Sequence, residues 1–376
     1  MSFPLFDLIP ECRARVSRVS LGQFPTPVES LEPLARELGV VSEGVWIKRD
    51  DISSPVYGGN KVRTLELLFA EAKALGVRRV ISTGAFGSNH ALATALHAPA
   101  VGLEPGALLF PQPISRAAYT NLDVLAASSA RLHSVPHWSL LPFAMAKLRL
   151  ARTPSYVMVP GGATPLGALG YVSAALELGR QVAAGALPAP RRVIVGVGST
   201  CTSAGLLLGF ALAAERGFGF TPRTRPHLTS VRVSPWPVTS RFRILRLAVR
   251  ASRLLHLLSA GKTPLFDAAT LGAHFDVDGR FLGSGYGQPS ASGSEVETLF
   301  QRLGLPLLDS TYSAKAAARV VAALRAHEPG PVLFWSTKSS VPLPPGARAL
   351  QTTEHAPATP KRIADWLRRA ERARLC

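Results

Sequence analysis

Residues 193–215, VIVGVGSTCTSAGLLLGFALAAE, decide the fold class of this chain. Residues 193–197 form a short apolar run typical of a buried strand, residues 204–215 have a helical pattern, and a Gly/Ser/Thr turn separates the two. The charge-free stretch 193–214 is also about long enough to cross a bilayer. The glycines and hydroxyl residues at its centre favour the other interpretation, which is a strand, a turn and a helix of an α/β protein.

The same alternation of short apolar runs and helical patterns continues in both directions from this stretch. The predicted strands are residues 45–48, 79–82, 107–110, 156–159, 228–233 and 332–335, and the predicted helices are residues 62–75, 89–101, 114–127, 140–150, 164–178 and 241–258. Alternation of this kind is typical of parallel strands joined by crossover helices. The sequence therefore predicts an α/β protein with open parallel sheets.

The chain of 376 residues has 42 basic and 24 acidic residues, a net charge of +18. Between Arg180 and Ala260 twelve arginines stand against one acid, Glu215. Such an excess could bind nucleic acid or an anionic membrane, and the arginines of the predicted helix 241–258 lie on one face. No motif of a known nucleic-acid-binding module accompanies them. We therefore expect a solvated basic surface, with no nucleic acid and no membrane as partner.

The numbers and spacings of the cysteines and histidines indicate the cellular compartment and bear on whether the chain binds a metal. Cys12, Cys201 and Cys376 are an odd number at unrelated spacings, which excludes a disulfide framework and favours a reducing compartment. The first residues lack the basic start and long apolar run of a signal peptide. The nine histidines show no metal-ligand spacing. The expectation is a cytoplasmic protein without a metal site.

Three motifs carry chemistry. YGGNKVR at residues 57–63 places Lys61 at a helix start after two glycines, which suits a lysine that forms a Schiff base. GAFGSNHAL at residues 84–92 is a strand-to-helix turn that suits a carboxylate, although a plain Ser/Asn helix cap is the simpler alternative. GVGSTCTSAG at residues 196–205 is an anion cradle without the lysine of a Walker loop or the glycine spacing of a dinucleotide site.

Taken together, these motifs make the chain resemble the pyridoxal-phosphate enzymes of the tryptophan-synthase-β-like fold (fold type II), and among them the D-cysteine desulfhydrase and 1-aminocyclopropane-1-carboxylate deaminase family. The resemblance extends over nearly the whole chain and includes FPTP at 24–27, KRDD at 48–51, PGGATPLGALGY at 160–171, GYG at 285–287, TY at 311–312 and LFWST at 333–337. It implies a two-domain α/β fold with open parallel sheets. Residues 1–62 and 172–376 would form the large cofactor-binding domain and residues 63–171 the small domain.

The resemblance also implies roles for individual residues. Lys61 would hold pyridoxal 5′-phosphate as a Schiff base and act in catalysis, with Asn60 and Asn89 near the ring and Thr337 at the ring nitrogen. The phosphate would lie on Gly198, Ser199, Thr200, Cys201 and Thr202. Ser88, Asn89 and His90 would meet the substrate, and Ser88, Tyr286 and Tyr312 would join Lys61 as catalytic residues.

The implied reaction is β-elimination from a small amino acid in a homodimeric enzyme, with D-cysteine giving pyruvate, sulfide and ammonia. Deamination of 1-aminocyclopropane-1-carboxylate is an alternative, and Ser313, where such a deaminase has a glutamate, favours the desulfhydrase. A third possibility is a cofactor-binding protein without turnover.

Several positions depart from the pattern of this family. Many members have glycine at the position of Cys201, lysine at that of Thr64, and two glycines at those of Lys338 and Ser339. We expect the Cys201 side chain to narrow the approach of the phosphate to the backbone. The missing cation at position 64 removes a positive charge that would compensate the phosphate, although Arg63 or another arginine could replace it.

Overall fold

The computed structural model describes residues 3–40, 44–151, 153–346 and 359–373. Within these ranges the chain forms two open sheets built mainly from parallel strands. This architecture confirms the predicted α/β class with open parallel sheets.

The larger sheet has the strand order β1, β2, β10, β7, β8, β9. Its strands are β1 Val28–Ser30, β2 Val45–Arg49, β7 Arg192–Val197, β8 His227–Arg232, β9 Phe275–Asp278 and β10 Val332–Ser336. Only β1 is antiparallel to its neighbour among these strands. In the central strand β7, Val193 and Val195 pack into one core cluster and Ile194 into another. Since both faces of this strand are buried, its sequence is continuously apolar instead of alternating.

The smaller sheet has the strand order β5, β4, β3, β6 and is parallel throughout. Its strands are β3 Arg79–Ala85, β4 Glu104–Phe110, β5 Arg131–Ser134 and β6 Ser155–Val157. All four lie within the segment 63–171 predicted as the small domain. The domain boundaries themselves stay a prediction.

Helices cover both sheets. They are α1 Pro4–Leu8, α2 Glu32–Glu37, α3 Asn60–Ala74, α4 Asn89–His97, α5 Arg116–Ala127, α6 Leu141–Arg149, α7 Pro165–Ala183, α8 Cys201–Glu215, α9 Arg241–Leu258, α10 Ala268–Gly272, α11 Ala291–Arg302, α12 Ser313–Arg325 and α13 Lys361–Arg372. Helices α7, α8 and α9 share one core cluster with the larger sheet, and α11 and α12 pack on its other face. The turns that follow β3, β7 and β10 lie at the carboxyl ends of their strands, which is where open parallel sheets bind ligands.

The bilayer interpretation of residues 193–214 is wrong, because these residues form β7, a turn and α8. No helix in the described part of the chain is long and apolar enough to span a membrane. In α9, Ile244 and Leu247 are buried, whereas Arg243, Arg246 and the other arginines of that face are exposed. The helix is therefore amphipathic with its basic face in solvent, as expected.

Some predicted boundaries need correction. Helix α8 begins at Cys201 and not at residue 204, so the end of the cradle is already helical. Helix α4 ends at His97, where the chain continues into a short 3-10 turn. Strands β1, β5 and β9 were not predicted, because runs of three or four residues carry too little periodicity to be recognised.

Candidate active site

Lys61 lies in the first turn of α3, close to loops that follow strands of both sheets. Gly59, the residue before α3, has φ of 93°, and a Cβ atom there would lie 2.6 Å from the Thr337 carbonyl oxygen. Only glycine fits this conformation and this close approach. The Asn60 backbone N–H donates to the Thr337 carbonyl at 2.9 Å. The end of β10 therefore fixes the start of α3 and with it Lys61.

The side chain of Lys61 reaches the loop after β7. Its Nζ donates to Ser199 Oγ at 3.1 Å and to the Gly161 carbonyl at 3.3 Å. Burial lowers the pKa of Lys61, and the smaller opposing effect of Cys201 does not offset the loss of solvation. A lowered pKa increases the fraction of neutral amine, which is the form that attacks a carbonyl carbon.

A buried ion-pair network lies beneath α3. Arg63 donates to both carboxylate oxygens of Asp50, at 2.7 and 2.9 Å, and to both of Glu177, at 2.9 Å each. Lys48 donates to Glu177 at 2.6 Å. Two cations and two anions thus balance inside the fold. Of the arginines that could replace the cation missing at position 64, Arg63 is ruled out, because its guanidinium is already bound to these two acids.

The turn after β7 presents backbone N–H groups. Thr200, the cap residue of α8, makes no side-chain capping bond. The N–H groups of residues 199–203 have no hydrogen-bond acceptor in the described part of the chain. Thr239 Oγ1 donates to the Gly198 carbonyl at 2.6 Å, and Asn60 Nδ2 donates to Thr202 Oγ1 at 2.9 Å. These two contacts hold the turn so that its free N–H groups and the helix N-terminus can receive an anion.

Cys201 does not narrow this cradle with its side chain, contrary to the expectation from sequence. Its Sγ donates to the Gly162 carbonyl at 3.4 Å and lies 3.9 Å from Thr64 Oγ1. The thiol is fully buried in the core cluster of α7 and α8. Only the backbone of Cys201 therefore faces the cradle, and its thiol packs below it.

Ser88 and Asn89 lie at the turn between β3 and α4. Ser88 Oγ caps the helix by accepting from the Ala91 N–H at 3.3 Å. The side-chain carbonyl of Asn89 accepts from the Tyr57 hydroxyl at 3.1 Å and from Asn121 Nδ2 at 2.7 Å. Both donors bind Asn89 Oδ1, and the amide nitrogen Nδ2 forms no hydrogen bond within the described ranges. This nitrogen is therefore free to donate to a bound molecule.

His90 is almost completely buried, and neither ring nitrogen has a hydrogen-bond partner among the described residues. Burial, with a smaller contribution from the charge of Lys61, lowers the pKa of His90 to about 3. A neutral imidazole without partners inside the fold indicates a place where a bound molecule supplies the missing hydrogen bonds.

Tyr286 and Tyr312 form a pair with their hydroxyl oxygens 3.0 Å apart and their rings at 86°. Burial raises the pKa of both phenols, so both are protonated at neutral pH. A Cβ atom at Gly198 would lie 3.1 Å from the Tyr312 ring, so this tyrosine packs directly on the cradle. Asp309 accepts hydrogen bonds from the backbone N–H groups of Thr311 and Tyr312 and holds the tyrosine in place.

Eight of the predicted site residues fall into two adjoining groups, whereas Ser88 and His90 belong to neither. Lys61, Asn60, Ser199, Thr202 and Thr337 are connected through the contacts given above. Asn89, Tyr286 and Tyr312 line a cleft beside them, together with Gly87, Gln112, Ser115, Asp309 and Lys338. The Gly198–Tyr312 contact joins the two groups into one site.

The sequence analysis missed Tyr57 and Asn121 as site residues. Tyr57 stands directly before the GGNK motif, and this position was the available signal. Asn121 lies within α5 and had no signal, because only the packing of α5 against α4 brings it to Asn89.

Comparisons with known proteins agree with this geometry. The family model described as pyridoxal-phosphate dependent enzyme matches residues 19–243. The chain is 32% identical to a nocardicin C-9′ epimerase of Nocardia uniformis subsp. tsuyamanensis, over 86% of this chain and 93% of the relative. It is also 32% identical to a D-cysteine desulfhydrase of Salmonella choleraesuis (strain SC-B67), over 86% and 94%. The solved structure of an ACC deaminase homologue, 27% identical, covers 90% of this chain and 95% of its own with a TM-score of 0.69.

Proposed function

The chain belongs to the pyridoxal-phosphate-dependent enzymes, in the D-cysteine desulfhydrase and 1-aminocyclopropane-1-carboxylate deaminase family, and from this premise we propose that it catalyses β-elimination from a small amino acid. The proposed substrate is D-cysteine, and the products are pyruvate, sulfide and ammonia. One observation carries the proposal: the amine of Lys61, with its lowered pKa, lies against the anion cradle, and the protonated phenol of Tyr312 packs on the same cradle.

The residues present fit pyridoxal phosphate. The free N–H groups of residues 199–203 at the start of α8 suit its phosphate. Lys61 suits its carbonyl carbon, and the Thr337 side chain, buried where β10 meets α3, suits its ring nitrogen. The amide nitrogen of Asn89 and the unpartnered ring of His90 remain for the substrate side. When bound, the cofactor supplies an electron sink for the charge left after the α-proton is removed.

The protein residues divide the remaining tasks. Lys61 Nζ, in its neutral form, accepts the α-proton, and Ser199 Oγ and the Gly161 carbonyl orient it. The turn at Ser88 and Asn89 binds the substrate carboxylate at the start of α4. Tyr312, protonated and bonded to Tyr286, donates a proton near the leaving group.

The position of Ser313 supports elimination over ring opening. Its hydroxyl donates to Asp309 Oδ1 at 2.5 Å and accepts from the Asp309 N–H at 2.8 Å. This hydroxyl is therefore bound to Asp309 at the start of α12, and Ser313 does not line the cleft. The extra acid that a ring-opening deaminase has after its second tyrosine is absent at this position.

A second candidate function is epimerisation of an amino-acid centre, favoured by the 32% identity to the nocardicin C-9′ epimerase over 86% of this chain. Both functions begin with removal of the α-proton, and they differ in whether a leaving group departs or a proton returns on the other face. The third candidate, cofactor binding without turnover, predicts neither outcome.

The test uses the purified holoenzyme with D-cysteine, L-cysteine, 1-aminocyclopropane-1-carboxylate and both enantiomers of alanine. Keto acid and sulfide are measured in solution, and chirality and deuterium uptake are measured in ²H₂O. Sulfide and pyruvate in equal amounts from D-cysteine support the proposal. Racemisation of alanine without keto acid from any substrate would support the epimerase instead. No change in any substrate would support binding without turnover.

A further inference from the structure

Lys338 puts a positive charge into the cleft. It lies two residues after the end of β10 and pairs with Gly59 through an isolated antiparallel bridge, so its backbone is fixed beside the start of α3. Its side chain lines the cleft together with Asn89, Tyr286 and Tyr312. None of the cradle residues 199–203 lines this cleft, so the cation is directed to a place other than the anion cradle.

The ammonium group of Lys338 has fewer partners than it can bind. It donates to the Tyr57 hydroxyl at 3.0 Å and lies 5.0 Å from the centre of the Tyr57 ring. An ammonium has three donors, and no carboxylate forms an ion pair with this one in the described part of the chain. Two N–H bonds therefore remain for an acceptor from outside.

The acid in the same cleft does not neutralise Lys338 by direct contact. Asp309 Oδ2 accepts from the N–H groups of Thr311 and Tyr312, and Asp309 Oδ1 accepts from the N–H and hydroxyl of Ser313. These bonds occupy the carboxylate at the start of α12. Asp309 therefore makes no direct contact with the Lys338 ammonium, whose free N–H groups stay available to a molecule in the cleft, although the negative charge of Asp309 still acts on the ammonium from a distance.

Lys338 is a cation and not a base at neutral pH. Burial lowers its pKa, but Tyr57 and Asp309 outweigh burial and raise it above the ordinary lysine value. A charged group in a partly buried cleft is stabilised by an oppositely charged ligand. This observation separates Lys338 from Lys61, whose pKa is lowered.

We propose that Lys338 binds a negatively charged group on the side chain of the substrate, so that the cleft selects amino acids with an anionic side chain. The inference rests on the proposed function only in taking the cleft as the substrate site. The side chain of cysteine is a neutral thiol at neutral pH, so in elimination from cysteine Lys338 would meet negative charge only as the sulfur begins to depart. The inference further predicts tight binding of amino acids whose side chain carries a carboxylate, and elimination from those whose anionic group can depart, such as a sulfate ester that leaves as sulfate.

The experiment compares aspartate with asparagine, which have nearly the same shape and differ in side-chain charge. Dissociation constants of both enantiomers of each ligand are measured from the visible spectrum of the holoenzyme. We expect aspartate to bind about ten- to a hundredfold more tightly than asparagine, the factor that a charge-assisted hydrogen bond contributes. In Lys338→Met this ratio should fall to near one, and Lys338→Arg should restore most of it.

Lys147→Met is the matched control, because Lys147 is exposed on α6 and does not line the cleft. In this variant the ratio of the asparagine and aspartate dissociation constants should equal that of the wild type. A wild-type ratio near one, or failure of aspartate to bind, overturns the inference. Equal weakening of both ligands in Lys338→Met also overturns it, because that result would assign Lys338 to the α-carboxylate that both ligands share.

A parallel assay of keto acid from neutral β-chloroalanine separates this inference from the proposed function. Keto acid without a preference for aspartate would refute the inference and leave elimination intact. A preference for aspartate without keto acid from any substrate would refute elimination and leave the inference intact.

Discussion

Replacing Asp50 by asparagine should destabilise the protein by about 3 to 5 kcal/mol, the cost of removing one partner from a buried ion pair. Asp50 is fully buried and accepts five hydrogen bonds, from Thr26, Tyr171 and Trp335 and two from Arg63. The asparagine amide would turn one acceptor oxygen into a donor that faces other donors. It would also leave two cations against one anion in the network.

The pKa of Asp50 gives an independent and smaller free energy for the contribution of its charge to stability. Burial raises this pKa, but the charge and hydrogen bonds of Arg63 outweigh burial and lower it from 3.8 to about 2. A difference of nearly two units corresponds to about 2 kcal/mol at 1.36 kcal/mol per unit. The pKa difference reports only the effect of the Asp50 charge, whereas Asp50→Asn also places an amide N–H group against other donors. We therefore expect the substitution to cost the larger of the two free energies, about 3 to 5 kcal/mol.

The sign of the pH dependence follows from the lowered pKa. The folded state holds the ionised carboxylate more strongly than the unfolded state, so this contribution is complete above pH 3.8 and is lost as the pH falls toward 2. The difference in stability between the wild type and Asp50→Asn should therefore be constant from pH 7 to 5 and shrink below pH 4.

The assay is urea denaturation of both proteins at several pH values, with the dissociation constant of pyridoxal phosphate measured in parallel. Because the network holds α3, we expect the variant to bind the cofactor more weakly as well. Glu29→Gln is the control: Glu29 pairs with Arg49 but its side chain is 42% exposed, so its loss should cost at most about 1 kcal/mol. If Asp50→Asn costs no more than Glu29→Gln, the network does not stabilise the fold as argued.

Three further predictions concern the site. Lys61→Ala should keep the far-ultraviolet circular dichroism of the wild type but lose the covalent cofactor link that borohydride traps and peptide mass spectrometry locates; a label trapped at another lysine would contradict the assignment. Tyr312→Phe should slow keto-acid release from D-cysteine by about ten- to a hundredfold and abolish any ring opening, because a thiolate needs less help from a proton donor than a carbon does; equal loss on both substrates would show that Tyr312 positions rather than donates. His90→Gln should leave the shape of the kcat/KM profile between pH 5 and 9 unchanged, since the pKa of His90 is about 3 and the ring stays neutral throughout that range; disappearance of a limb near pH 6 to 7 would show that His90 titrates there.

Much of the fold was predictable because its signals are local. The helix predicted for residues 241–258 matches α9 at both ends, since its apolar and arginine residues repeat with the helical period. The strand at 193–197 and the turn after it were predicted from an apolar run followed by Gly and Ser/Thr residues. The start of α8 was wrong by three residues, because the same small polar residues occur in loops and in first helical turns.

The site was predictable in its parts but not in its connections. Lys61, Ser88 and the cradle each stand in a motif of adjacent residues, so their chemistry could be inferred from sequence. The homodimer stays a prediction, as do the roles of the individual site residues. Tyr57 and Asn121 were missed because their importance comes from bonds to a residue about thirty positions away.

The sequence by itself determined the α/β class, the lysine that faces a Gly-rich turn, and the family. Only the tertiary structure decided which partner each charged or polar side chain finds. Arg63 binds Asp50 and Glu177 instead of an anion in the cradle, the Cys201 thiol turns to Gly162, and Lys338 lies in the cleft beside Tyr57. The reason is the strand order, in which β10 lies between β2 and β7. The segments that follow β7 and β10 therefore lie beside the start of α3, although each is well over a hundred residues away from α3 in sequence. Periodicity and turn chemistry act over a few residues, whereas the partner of a buried charge depends on which strands become neighbours.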